Sequence, residues 1–171
     1  EVQLLNIRID GDLDCSSATF KALDDDDRPA LTVERATSKG NVFFNNGFTV
    51  SGQASLLGTQ IGGDLDCRNA TVENPATTCK PCRKALIVAR ADIAGSVFFN
   101  DFSAAGEVTL LGVHIRGDIQ CIGAKSSNEK GDTLVAQGMA VGGALFFRGL
   151  SQPLSGVSLA SCHVGQLIDD E

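Results

Sequence analysis

Apolar and polar residues alternate in short pairs along most of this chain. In the stretch 54–67 the apolar positions that carry the pattern are Ala54, Leu56, Ile61, Leu65 and Cys67. Ala54 and Leu56 flank Ser55, and Leu65 and Cys67 flank Asp66. A period of two sends successive side chains to opposite faces, so this stretch predicts two short strands separated by the Gly62-Gly63 bend. The stretch 86–99 behaves alike, with Leu86 and Val88, then Ile93, then Val97 and Phe99. No stretch sustains a helical period, and glycine recurs too often for a helix to run.

The two patterns recur in turn. GQASLLGTQIGGDLDC at 52–67 has counterparts at Val2–Cys15, Glu107–Cys121 and, in a decayed form, Gly156–Asp170. ALIVARADIAGSVFF at 85–99 has counterparts at Ala30–Phe44 and Thr133–Phe147. Seven rungs result: 2–15, 31–44, 54–67, 86–99, 108–121, 134–147 and 157–169. A period of this length is the mark of a solenoid. The chain therefore reads as all-β, a right-handed parallel β-helix in one domain, 1–171. Its repeat copies are 1–52, 53–105 and 106–154, with a partial copy at 155–171. Two strands per rung, stacked at the usual spacing, predict a rod about 34 Å long. The left-handed hexapeptide helix is excluded, because Leu56, Ile61 and Leu65 do not keep a six-residue spacing.

Links between rungs are unequal. The short ones resemble 100–107, whereas the long ones, 16–30, 68–85 and 122–132, all leave from the same corner. They carry the turn-forming and polar content, including Asp24–Asp27, Pro29, Pro75, Cys79 and Cys82. A row of insertions on one side of a repeat protein is a candidate binding face.

Strand parity points Cys15, Phe44, Cys67, Phe99, Cys121 and Phe147 inward, as an alternating stack of thiols and rings. Thiols two rungs apart are too distant for a disulfide and are expected to pack as small apolar groups. The same parity points Asp14, Phe43, Asp66, Phe98, Gln120, Phe146 and Ile168 outward. Phe43, Phe98 and Phe146 on an outer face call for a cover; the long loops are the expected one, a partner the alternative. Cys79 and Cys82 form CKPC, open to three readings: a loop staple or plain thiols, a metal site completed by another chain, or a redox pair. Asp12, Asp64 and Asp118 follow glycine at equivalent bends, with Asn41, Ser96 and Gly143 assigned between them. That is turn chemistry rather than a catalytic column. His114 and His163 share a bend position with Arg8 and Gln60 and read as solvent-facing.

A net charge of −7 argues against a nucleic-acid backbone as partner. No apolar run approaches the roughly 18 residues of a spanning helix. No phosphate loop, dinucleotide fingerprint, flavin or haem motif occurs, and no cofactor is expected.

The units VxLLGxxIxGDLDC and ALxVxxxxIxGxVFF resemble a repeat of large bacterial proteins often labelled membrane-associated oxidoreductases. GGDLDC and GSVFF are the most specific pieces. A weaker similarity links the chain to the polymer-forming bactofilins, whose rungs are shorter and lack the row of loops. The resemblance implies a bacterial β-helix, cytoplasmic or membrane-associated. The function expected is a non-enzymatic scaffold for binding or self-assembly. A carbohydrate-binding or polysaccharide-acting β-helix, working through the loop-bearing face, is the alternative. The first residues already lie inside a repeat, so the chain reads as part of a longer one. The edge at Val2 and Leu4 is expected to pair with upstream rungs, another copy or a partner strand.

Overall fold

The computed structural model describes residues 1–22, 28–74, 83–128, 131–150, 154 and 156–169. The fold is a parallel β-helix of seven rungs. Sheet A holds one strand from every rung: Val2–Leu5, Leu31–Glu34, Ala54–Leu57, Lys84–Ala89, Glu107–Leu111, Leu134–Val135 and Val157–Ser158. Sheet B is bent. Its first half stacks Arg8–Ile9, Thr37–Ser38, Gln60–Ile61, Asp92–Ile93 and His114–Ile115. Its second half stacks Leu13–Asp14, Val42–Phe43, Leu65–Asp66, Val97–Phe98 and Ile119–Ile122. The continuous strand Ala140–Arg148 joins the halves and carries His163–Asp169. Sheet C stacks Thr19–Lys21, Thr49–Ser51, Thr71–Glu73, Ser103–Ala105 and Lys125–Ser127.

Every pairing is parallel, and the register is the one the repeat demands. Val2, Leu31, Ala54, Leu86, Val108, Leu134 and Val157 lie in one column. The first five rungs nevertheless have a third wall that two strands per rung did not anticipate. The first residues of the long links and the middle of the short ones build sheet C. Thr71-Val72-Glu73, with only Val72 buried, is too short for its alternation to stand out beside the loop that follows.

Corners are made by residues in the left-handed region. After sheet A these are Asn6, Arg35, Gly58, Arg90, Gly112, Gly138 and Ser161, with φ between 50° and 63°. After sheet B they are Ser17, Asn46, Asn69, Asp101, Gly123 and Gly149, with φ between 53° and 67°. Asparagine, aspartate and glycine reach this region at least cost.

Inside, Leu31, Val33, Leu56, Leu65, Ile93, Ile119 and Leu145 are essentially inaccessible. The thiol and ring stack holds its predicted register, shown directly where Cys121 pairs with Phe147. Rings also come from sheet C and its corner: Phe48 stacks on Phe44 with centroids 4.7 Å apart, and Phe102 tilts against Phe99 at 5.0 Å. At these two positions large and small side chains alternate up the rod, Phe44, Cys67, Phe99 and Cys121 at one and Phe48, Ala70, Phe102 and Ala124 at the other, so that neighbouring layers fill the space between them.

Candidate functional site

At the bend of sheet B, each rung grips the next through a side chain. Asp12 Oδ1 accepts from Asn41 N at 2.6 Å, and Asn41 Oδ1 accepts from Asp64 N at 2.8 Å. Asp64 Oδ1 accepts from Ser96 N at 2.7 Å, and Ser96 Oγ accepts from Asp118 N at 3.0 Å. Asp118 Oδ1 accepts from Ala144 N at 2.7 Å. The register places Ala144, not Gly143, in this column, and alanine has no acceptor to pass on. The preceding glycine is what admits each acceptor. A Cβ on Gly40, Gly63, Gly95, Gly117 or Gly143 would lie 2.1–2.3 Å from the acceptor atom of the rung below. The dyad of glycine then Asp, Asn or Ser, repeated once in each of the first five rungs, is the sequence signal of this ladder; reading each dyad as a local turn missed the bond between rungs. These carboxylates are engaged with backbone N–H groups, which suits turn and ladder chemistry and not a catalytic pair.

The outward column of sheet B lies where parity puts it, running through Asp14, Phe43, Asp66, Phe98, Gln120, Phe146 and Ile168. Phe43, Phe98 and Phe146 are half-buried. Among the described residues the Arg68 guanidinium, at the start of the long link 68–85, sits 5.3 Å from the Phe98 ring centroid; residues 75–82 of that link lie outside the described residues. Arg68 also grips Asp66 with Nε at 2.9 Å and a terminal nitrogen at 2.6 Å, and Asn45 Nδ2 donates to the same carboxylate at 2.7 Å. Asp66 is thus 2% exposed although it points outward. Burial pushes its carboxyl up, but the hydrogen bonds from Arg68 and Asn45 and the Arg68 charge outweigh burial, and it titrates below the usual range.

A depressed folded-state value stabilises the fold above the ordinary carboxylate pKa, and that stability is lost as pH falls through the folded value. Asp66→Asn is expected to be less stable than the parent near neutrality. The two should converge as acidification, below the ordinary carboxylate range, protonates the parent carboxylate. Urea midpoints near neutrality and at low pH test this; an unchanged gap at low pH would remove Asp66 from the account.

The inward thiols divide by depth. Cys67 and Cys121 are buried, and Cys15 is half-buried. Burial, then the Asp66 charge, pushes the Cys67 thiol far up, and burial pushes Cys121 up to about 12. A bulky thiol reagent at mildly alkaline pH is expected to spare Cys67 and Cys121 until urea unfolds the chain, and to reach Cys15 first among the three. Native labelling of all three at one rate would refute the inward register. Cys162 is half-buried with Sγ against the Ala136 carbonyl. Cys79 and Cys82, with Asp24–Asp27, lie outside the described residues. Among the described residues no group of three or more His, Cys, Asp or Glu could hold a metal ion. His114 and His163 are exposed and share the column of Arg8 and Gln60. Val2 is 37% exposed, and Leu4 is partly buried against the core.

The long links leave between sheets C and A on alternate rungs, and described residues close their necks. Asn74 Nδ2 donates to Lys84 O at 2.8 Å, and Arg83 donates to Asn74 Oδ1 at 3.1 Å. Asn128 Nδ2 donates to Asp132 O at 2.8 Å. The intervening rungs turn this corner on Gly52 and Gly106, at φ 123° and 117°. A Cβ on Gly106 would lie 2.8 Å from Asn74 O and 2.9 Å from Arg83 O, so this glycine lets the neck of a neighbouring rung close against it.

A wholly apolar cavity of about 40 Å³ lies among Phe99, Leu110, Cys121, Met139 and Phe147. A shallow polar groove runs over Thr37, Gln60, Gly62 and Asp92 between Lys39 and Arg116. Lys39 is paired with Asp10 at 2.7 Å and Arg116 with Asp92 at 3.7 Å. No helix among the described residues is long and apolar enough to cross a membrane. No family model, no curated protein and no solved structure matches the chain.

Proposed function

We propose that this chain is a non-enzymatic scaffold, a stiff β-helical rod that displays loops from one corner and joins end-on to further rungs. The observation that carries this reading is the row of links leaving one corner on alternate rungs, with hydrogen-bonded necks at Asn74 and Asn128. Loops held this way stand roughly 10 Å apart, two strand spacings, on a wall whose own bonds do not depend on them. The ladder supports the non-enzymatic part, because Asp12, Asp64 and Asp118 spend their carboxylates on backbone N–H groups.

The outer edge of the first rung supports end-on joining. Val2 N and Asn6 N donate to Ala30 O and Glu34 O of the second rung. By alternation the N–H groups of Gln3 and Leu5 point away from it. Such an edge is a template for another strand. Sedimentation of this 171-residue chain over a wide concentration range is expected to show association. Gln3→Pro removes an outward N–H and an exposed side-chain bond to Glu1, and should weaken association while leaving the melting temperature near the parent's. A parent that stays monomeric at every concentration refutes end-on joining. A rod that unfolds when 75–82 is replaced by a short polar link refutes loop display.

A further inference from the structure

We propose that Asn46 is a site of spontaneous deamidation and isoaspartate formation, built into the second rung by a one-residue insertion. Four residues separate Asp14 from Thr19, Asp66 from Thr71, Phe98 from Ser103 and Gln120 from Lys125, but five separate Phe43 from Thr49. The extra residue is Gly47, and Asn46-Gly47 is the one Asn-Gly pair in the sequence.

The reaction needs a backbone nitrogen that can reach the preceding side-chain carbonyl carbon. Glycine leaves that nitrogen uncrowded and the backbone free to turn. Here Asn46 and Gly47 are both exposed, at φ 53° and 86°, and a Cβ at Gly47 would meet nothing within 4 Å. The two N–H groups at this corner are held by long bonds, Asn46 N to Arg68 O at 3.2 Å and Gly47 N to Asn69 O at 3.3 Å, while Ser17 Oγ donates to Asn46 O at 2.7 Å and Thr49 Oγ1 to Gly47 O at 3.1 Å. At the same corner of other rungs, Ser17 N, Asn69 N, Asp101 N and Gly123 N make bonds of 2.8–3.0 Å. Asn45, by contrast, is buried and donates its amide to Asp66. Asn69 is followed by the buried Ala70.

In the step itself, Gly47 N loses its proton to solvent base and forms a bond to Asn46 Cγ. The bond from Cγ to the side-chain nitrogen breaks, and ammonia leaves. Water then opens the cyclic imide at either carbonyl. One product is aspartate. The other is isoaspartate, in which the main chain runs through Cβ and the carboxylate is what was the backbone carbonyl. Both add a negative charge to the corner, and the second lengthens the rung's perimeter there.

The test incubates the folded chain in warm, mildly alkaline buffer and reads isoaspartate by enzymatic carboxyl methylation and peptide mapping. The same incubation in denaturant gives the reference rate. Isoaspartate is expected at position 46, at a native rate within about tenfold of the denatured one, because long N–H bonds at an exposed corner open at little cost. The rate should rise with pH. Asn46→Ser places at this corner the residue type that rung one carries there as Ser17 at φ 58°, so it should fold and lose the signal completely. Native protection of more than about a hundredfold would overturn the proposal, as would equal modification at Asn69.

Discussion

Replacing Gly63 by alanine is expected to destabilise the rod by about 3 kcal/mol, as overpacking at a tight contact does. The new methyl would lie 2.2 Å from Asn41 Oδ1, the atom that accepts from Asp64 N. Room is made only by expelling that acceptor, which orphans the N–H. Asn41→Ala alone should cost about 1 kcal/mol, the net worth of one hydrogen bond. In the double variant the methyl meets no acceptor; the nearest remaining obstacle is Asn41 N, at 3.2 Å. The double variant should therefore be more stable than the sum of the two costs implies, with a coupling of about 1–2 kcal/mol. Gly11 holds the same repeat position in the first rung, and a Cβ there would meet nothing within 4 Å. Gly11→Ala should be neutral or stabilising by about 0.5 kcal/mol, through the unfolded chain. Urea unfolding of the four variants decides the matter; strict additivity would mean that the glycine serves the bend alone.

Phe48→Ala is expected to cost about 4 kcal/mol, near the top of the range for a buried ring. Phe48 is 1% exposed, stacks on Phe44 at 4.7 Å and tilts against Phe20 at 5.7 Å. Its removal opens a void that the closed walls of three sheets cannot collapse to fill. Phe43, outward and half-buried on the same rung, should cost about 1 kcal/mol when cut to alanine. Thermal and urea unfolding should rank the two in that order. A reversed order would mean that Phe43 and not Phe48 anchors the rung.

The column register was readable from residues because Leu65-Asp66-Cys67 and Val97-Phe98-Phe99 carry strand alternation and recur at matching intervals. Sheet C was not, because Ser103-Ala104-Ala105 and Lys125-Ser126-Ser127 offer too little contrast between faces to announce strands. The ladder was half readable. Glycine followed by Asp, Asn or Ser is visible at the first five bends, but a side chain that bonds to the rung above leaves no mark within its own rung. Asp66 went unrecognised as buried for a related reason: Arg68 and Asn45, which cover it, look like ordinary corner residues until the rungs are stacked. The exposed histidines were legible from the changing polarity of their column.

The alternation of Cys-bearing and Phe-bearing rungs sets how such a rod can grow. Excising a single rung would bring two ring layers or two thiol layers into contact, one too large for the lumen and the other leaving it hollow. Excising two neighbouring rungs preserves both the volume alternation and the placing of loops on every second level. Deleting two neighbouring rungs is therefore expected to leave a more stable rod than deleting one.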